Sequence, residues 1–246
     1  MSTRDANADT SMTRLHVLCA GAAKGLVDAL QARFAEDSGV TVEARFGAVG
    51  AMKEALEGGA ACDVMIVTDA LISTLSSSGD VRGETRAVIG SVRTGIAVRA
   101  GDALPDISSA GSLKSSLLAA QGIYIPDPLR ATAGIHFATL LQKLGIDTAV
   151  ASRLQTFPNG ATAMRELAAS PLRHPIGCTQ ITEINYTAGV RLVGALPGEF
   201  ELATVYAAAV GTNAALPELA QRFVRLLAGP QTRDLRIAGG FELAPR

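Results

Sequence analysis

The sequence predicts an α/β chain of two lobes, each a mostly parallel sheet flanked by helices, with a ligand cleft between them. Three observations predict it. Short apolar runs alternate with helical stripes along the chain, the pattern of βαβ units whose strands are buried on both faces. That alternation runs once from residue 15 and restarts at residue 112. Two long β-rich stretches without a helical stripe, 87–101 and 202–212, interrupt it and read as crossings between lobes. On this reading 14–91 plus 205–246 form lobe 1, 92–204 form lobe 2, and 1–13 are a disordered leader.

Each element follows from its local pattern. LHVLCA (15–20) is a near-continuous apolar strand. In GLVDALQARFAEDSG, Leu26, Leu30 and Phe34 share one helical face and Gly39 supplies the stop. VTVEARF (40–46) is a strand, GAMKEALEGG a helix ending on two glycines, and CDVMIV (62–67) a strand. ALISTLSSSG is a helix running into a polar turn, after which the first long β stretch begins at residue 87. In the second block SLKSSLLAAQ, HFATLLQKLG and GATAMRELAAS are helices, and GIYIP, SRLQTFP, HPIGCTQ and VRLVGALP are strands. LPELAQRFVRLLAG closes the chain as an amphipathic helix, with Pro217 near its start and Gly229 after its end.

Composition narrows the function classes. Of 246 residues 48% are apolar and 18% charged, and the net charge of −1 is scattered, so nucleic acid is not an expected partner. No apolar run approaches the roughly 18 residues of a membrane span. Cys19, Cys62 and Cys178 lie at or beside apolar strands and read as small buried thiols of a reducing compartment. MSTRDANADTSMTR is polar, carries both charges and has no apolar core of a secretory signal. A cytoplasmic chain is therefore expected, and a periplasmic one if translation starts upstream. There is no His/Cys/Asp cluster with metal-ligand spacing, no GxGxxG or Walker pattern after a strand and no serine-nucleophile motif, so neither cofactor nor metal is expected.

The informative stretch is YIPDPLRATAG (124–134), where a strand ends, two prolines make a turn and a helix opens on small residues. Bare amides at a helix start suit an anion. The turns at 20–24, 47–50 and 159–162 have the same character, although tight βα turns need small residues in any case. These turns give the candidate binding residues Gly21, Ala22, Ala23, Lys24, Val49, Gly50, Ala133, Gly134, Asn159 and Gly160. The Arg130 fork either clamps a carboxylate or faces solvent. Thr179 and Gln180, followed by Thr182 and Glu183, sit at a strand end and add Thr179 and Gln180 to the binding set. If the protein is an enzyme, His136 and Asp127 are the candidate acid–base groups; otherwise His136 packs under the turn and Asp127 caps it. Asp63 reads as structural.

In order along the chain, CAGAAKGL, FGAVGAM (46–52), ACDVMIVTD (61–69), IPDPLRATAG (125–134) and CTQITEI (178–184) resemble the successive motifs of the type 2 periplasmic binding proteins, and among them the molybdate-binding family. The resemblance covers nearly the whole chain after Arg14 and implies a two-lobed binding fold with an anion between the lobes. It also implies that Ala22 and Val49 stand where that family has oxyanion-binding serines, and Gln180 near its tyrosine. A buried tetrahedral oxyanion needs many donors, and these replacements remove them.

The expected function is therefore a substrate-binding protein for a small anion, more an organic carboxylate than molybdate, and the resemblance implies a transporter as partner. The alternative is an isomerase on the same scaffold, resembling aconitate isomerases, that moves a proton next to a carboxylate.

Overall fold

The structure is a computed structural model that describes residues 13–243; most of the leader expected at 1–13 lies outside the described residues. Strand and helix alternate from the start. β1 (Arg14–Ala20) passes through the short 3-10 turn Gly21–Ala23 into α1 (Lys24–Ser38). β2 (Thr41–Gly47), α2 (Val49–Glu57), β3 (Val64–Thr68) and α3 (Asp69–Ser77) follow. The leucines and Phe34 expected on one face of α1 are buried, and Gly39 ends the helix in the left-handed conformation that glycine adopts without steric cost.

β4 (Val81–Arg99) is one strand of 19 residues, begun six residues before the expected stretch. Its first part pairs antiparallel with β9 (Ala203–Gly211) through Arg93, and its last part pairs with β7 (Ile176–Gln180) and β8 (Val190–Ala195) from Thr94 onward. A single strand thus serves two sheets. The first sheet runs β2-β1-β3-β9-β4, with β1 parallel to both of its neighbours. The second holds β8, β4, β7, β5 (Ile123–Pro126) and β6 (Leu154–Phe157), with β5 parallel to β6 and β7. Its helices are α4 (Ala110–Ala119), α5 (Thr132–Lys143), the short α6 (Asp147–Val150) and α7 (Gly160–Ala169).

The cores divide with the sheets. One cluster gathers Leu15, Val17, Ile66, Phe34, Val92, Tyr206 and Phe223; the others gather Ile96, Ile123, Phe137, Cys178 and Phe200, and Ala97, Tyr124 and Met164. The chain therefore passes between lobes once within β4 and once between Phe200 and Tyr206, where the Thr94 amide donates to the Leu202 carbonyl at 2.9 Å. The closing helix α9 (Pro217–Ala228) buries Ala220, Phe223, Val224 and Leu227 on lobe 1, and α10 (Arg233–Gly239) follows it. Asp63 is structural, as its sequence context indicated: its carboxylate accepts from the amides of His16, Ala215 and Leu216 and so ties β1 to the start of α9.

A short helix that the sequence pattern did not reveal, α8 (Ile181–Tyr186), springs directly from the end of β7. It lies between the lobes: Ile181 packs on the lobe 1 core and Ile184 belongs to a lobe 2 core. Cys19, Cys62 and Cys178 are unpaired, and burial pushes all three thiols up, Cys62 to about 12. They remain neutral thiols with little nucleophilic character.

Candidate anion and acid–base site in the interlobe cleft

The carboxyl ends of the parallel strands of both lobes meet at one cavity, where ligands bind in open α/β sheets. Lobe 1 supplies Ala20, Gly21 and Ala22 after β1, Gly47, Ala48 and Val49 after β2, and Tyr206 from β9. Lobe 2 supplies Pro126, Ala131, Thr132 and Ala133 between β5 and α5, Asn159 and Gly160 at the start of α7, and Gln180 and Glu183 after β7. Space for the centre of a water-sized sphere is only about 20 Å³, room for one or two waters. The lobes touch across it: the Gly50 amide donates to the Arg130 carbonyl at 3.1 Å, and the Tyr186 hydroxyl donates to the Gly21 carbonyl at 3.0 Å. This is a closed cleft, and anything as large as a tricarboxylate enters only if the lobes part.

Helix starts set the electrostatics. α1, α2 and α5 begin after alanine caps, which have no side-chain acceptor for the first-turn amides, and those turns hold no acidic residue. The 3-10 turn that leads into α1 and the starts of α2 and α5 lie at the cavity and turn the positive ends of their dipoles to it from both lobes, with the Gly50 amide of α2 taken by the Arg130 carbonyl. α7 is different: Asn159 Oδ1 caps it by accepting from the Thr162 amide at 2.9 Å. No lysine, arginine or histidine is among the residues that line the cavity. Positive potential at the cavity therefore comes from backbone dipoles and not from a cationic side chain.

Two buried polar side chains complete the lining. Gln180 is 2% exposed, and both its amide oxygen and its amide nitrogen are without a hydrogen-bond partner. A buried amide left in that state costs on the order of 1–3 kcal/mol, so it is poised to donate to and accept from something in the cavity. Glu183 is 5% exposed; Thr179 donates its hydroxyl to Oε2 at 2.5 Å, and the amides of Gly160, Ala161 and Gln180 point at the carboxylate. Burial outweighs these hydrogen bonds and pushes Glu183 up to about 7. Tyr206 stays neutral, because burial raises its hydroxyl far above the usual range, and it hydrogen-bonds the Thr132 side chain across the lobes.

Of the sequence candidates, Gly21, Ala22, Val49, Ala133, Asn159, Gly160 and Gln180 line the cavity. Ala23, Lys24, Gly50, Gly134 and Thr179 stand behind or beside it. Ala23 is buried in the lobe 1 core. Lys24 pairs with Asp28 and lies 4.4 Å from the Phe46 ring centroid. Gly134 packs under the β5–α5 turn, and Thr179 supports Glu183.

For Arg130, His136 and Asp127 the contacts match the non-ligand alternative of each reading. The Arg130 fork points to Glu54 of lobe 1, Nε to Oε1 3.2 Å, with both side chains half exposed. It is an exposed ion pair beside the cleft mouth and not a clamp inside it. Arg130→Ala is therefore expected to cost at most about 1 kcal/mol of stability, because exposed pairs gain little and the backbone tie to Gly50 remains. Urea denaturation and ligand titration check this; a tenfold loss of affinity would put the guanidinium on the ligand. His136 Nε2 lies 2.7 Å from the Phe200 carbonyl, which only accepts, so that nitrogen carries the proton and the ring is tied within lobe 2. Asp127 accepts from the Leu129 amide at 2.7 Å and shapes its own turn. Sequence reading left Glu183 and Tyr206 out of the site. In sequence Glu183 is one acid in the Thr-Gln-Ile-Thr-Glu run that leaves the end of a buried strand, with no local mark of its burial.

Among the described residues no group of His, Cys, Asp and Glu has the arrangement of a metal site, and no helix is long and apolar enough to cross a membrane. The chain is 25% identical over 226 residues to an aconitate isomerase of Pseudomonas sp., spanning 88% of this chain and 83% of that protein. The periplasmic molybdate-binding protein of Azotobacter vinelandii superposes with a TM-score of 0.79 at 20% identity, over 94% of this chain and all of that one. The sulfate-binding protein SubI of Mycobacterium tuberculosis H37Rv superposes with a TM-score of 0.69 at 17% identity, over 93% of this chain and 86% of that one. The pattern of the bacterial extracellular solute-binding proteins matches residues 15–242, and with two lobes closing on one cleft of helix starts the chain belongs to that family, on the type 2, molybdate-binding-like fold.

Proposed function

We propose that the cleft binds a small organic carboxylate in preference to molybdate. The observation that carries this reading is the donor set. Uncapped helix amides and the unpartnered Gln180 amide face the cavity, while Ala22 and Val49 offer only methyl groups. A carboxylate end fits the amides and a carbon skeleton fits the methyl groups. A tetrahedral dianion fits less well, since it needs donors on every side and would sit beside the Glu183 carboxylate.

One observation favours a second reading, that the protein also converts its ligand. Glu183 places a buried carboxyl group, balanced between its two protonation states near neutral pH, in the same cavity. The isomerisation of a tricarboxylate by proton transfer next to a carboxylate uses such a group, and the likeness to an aconitate isomerase supports the same reaction class.

A thermal-shift series with cis-aconitate, trans-aconitate, citrate, molybdate and sulfate tests the binding reading. A ligand at 100 times its dissociation constant stabilises by about 2.7 kcal/mol, so a carboxylate that fits is expected to raise the melting temperature by several degrees. Molybdate is expected to shift it little at the same concentration. Tight molybdate binding with no response to any carboxylate would overturn the proposal.

A further inference from the structure

We propose that Glu183 is the acid–base residue of the cleft, the group that takes a proton from the bound acid and returns it. This rests on the second reading above and names the residue that would perform it.

The argument is one of position. Glu183 and Tyr206 are the ionisable side chains that line the cavity, and Tyr206 is held as a neutral hydroxyl. The Glu183 carboxylate lies at the seam of the lobes. A Cβ built on Gly21 of lobe 1 would fall 2.2 Å from Oε1, and one built on Gly160 of lobe 2 would fall 2.0 Å from Oε2. Both glycines thus leave the space that the carboxylate fills, and lobe closure brings it against a ligand held by either lobe. Thr179 and the α7 amides fix the orientation of the carboxylate. No arginine, lysine or histidine lines the cavity to neutralise it, so it is a permanent ion partner of nothing. Burial with these hydrogen bonds leaves it near the midpoint of its titration at neutral pH, where one group serves as both base and acid.

The step balances without any co-reactant. Glu183 takes H⁺ from a carbon next to a carboxylate of an unsaturated acid; a C–H bond breaks and an O–H bond forms. The electron pair spreads into the neighbouring double bond and carboxylate, whose developing charge the helix amides stabilise. Glu183, whose acidic proton exchanges with solvent, then returns a proton to the other end of the three-carbon unit, and the double bond moves. Atoms, charge and oxidation state are conserved. His136 and Asp127 have no place in this sequence, since each is bound elsewhere.

The test compares the wild type with Glu183→Gln, Glu183→Asp and His136→Ala, using cis- and trans-aconitate in D₂O. Proton NMR follows interconversion and deuterium incorporation, and calorimetry follows binding. Glu183→Gln is expected to slow interconversion by about 10²–10⁴-fold, the usual share of one acid–base group, with aconitate still bound. Glu183→Asp, which keeps the carboxylate but withdraws it by one methylene, is expected to be slowed at least about tenfold. This variant also decides the matter if the glutamine variant fails to fold. His136→Ala is expected to keep its rate within about threefold. Full activity in both Glu183 variants, or loss of activity in His136→Ala, overturns the assignment. A wild type that binds aconitate but neither interconverts its isomers nor exchanges a carbon-bound proton also overturns it while leaving the carboxylate site intact. A wild type that binds no carboxylate overturns the reading of the cleft itself and this assignment with it.

Discussion

Gly134→Ala is expected to destabilise the protein by about 3 kcal/mol, toward the upper end of the cost of forcing an extra methyl into a packed site. A Cβ at Gly134 would lie 2.4 Å from the carbonyl oxygens of both Pro126 and Asp127. These are backbone atoms of the β5–α5 turn and cannot rotate aside as a side chain would. The sign is the discriminating feature. Gly134 lies within α5, where alanine would ordinarily gain about 1 kcal/mol over glycine. The steric term must therefore reverse the propensity term. For a chain of this length the melting temperature should fall by roughly 6–12 °C. The same displacement moves Ala131, Thr132 and Ala133, so affinity for the cleft ligand should fall with it. An unchanged or raised melting temperature would show that the turn yields, and that the close approach does not position the α5 amides.

The second large effect is a pH dependence. Relative to the wild type, Glu183→Gln should gain about 3 kcal/mol of stability between pH 4 and pH 8. Burial moves the Glu183 pKa from its ordinary 4.5 to about 7 on folding, and each pH unit of that difference is worth about 1.36 kcal/mol. The group is buried, so solvent screening does not reduce the figure. Because the folded pKa is the higher one, the folded state holds the proton more tightly. The stabilisation by that proton is complete below about pH 4.5 and is lost as pH rises through about 7. Glutamine cannot titrate, and the other groups cancel in the difference between the two proteins. Urea unfolding of both across that range gives the curve. A difference that stays flat with pH would mean that Glu183 ionises normally and that its burial in the cleft is not maintained in solution. The native carboxylate thus costs stability at neutral pH.

The architecture was legible because its signals are local. Apolar runs of strand length, helical stripes and glycine stops recur along the chain, and Leu26, Leu30 and Phe34 of α1 are buried as their spacing required. The start of β4 was missed because VRGETR is polar and half exposed, with no apolar alternation to mark it. α8 was missed because it has six residues and follows Gln180 without an intervening turn.

The site was legible where it is made of backbone. Small residues at four helix starts marked amides that meet at one cavity. Side-chain direction was not legible. Arg130 and His136 stand near a helix start in sequence, yet one reaches across to Glu54 and the other turns to Phe200. Both choices depend on partners 76 and 64 residues away, which no local pattern announces. Glu183 reads as an ordinary loop acid until folding surrounds it with Gly21, Gly160 and Thr179.

The central claim is that a small carboxylate is held in the interlobe cleft by helix amides and Gln180, and an amide-resolved NMR titration with trans-aconitate tests it most directly. Saturable shift changes are expected at the amides of Ala22, Val49, Ala133 and Gly160 and at the Gln180 side-chain amide, all fitting one dissociation constant. Shift changes confined to residues outside the cleft, or none at millimolar ligand while molybdate shifts these same amides, would contradict it.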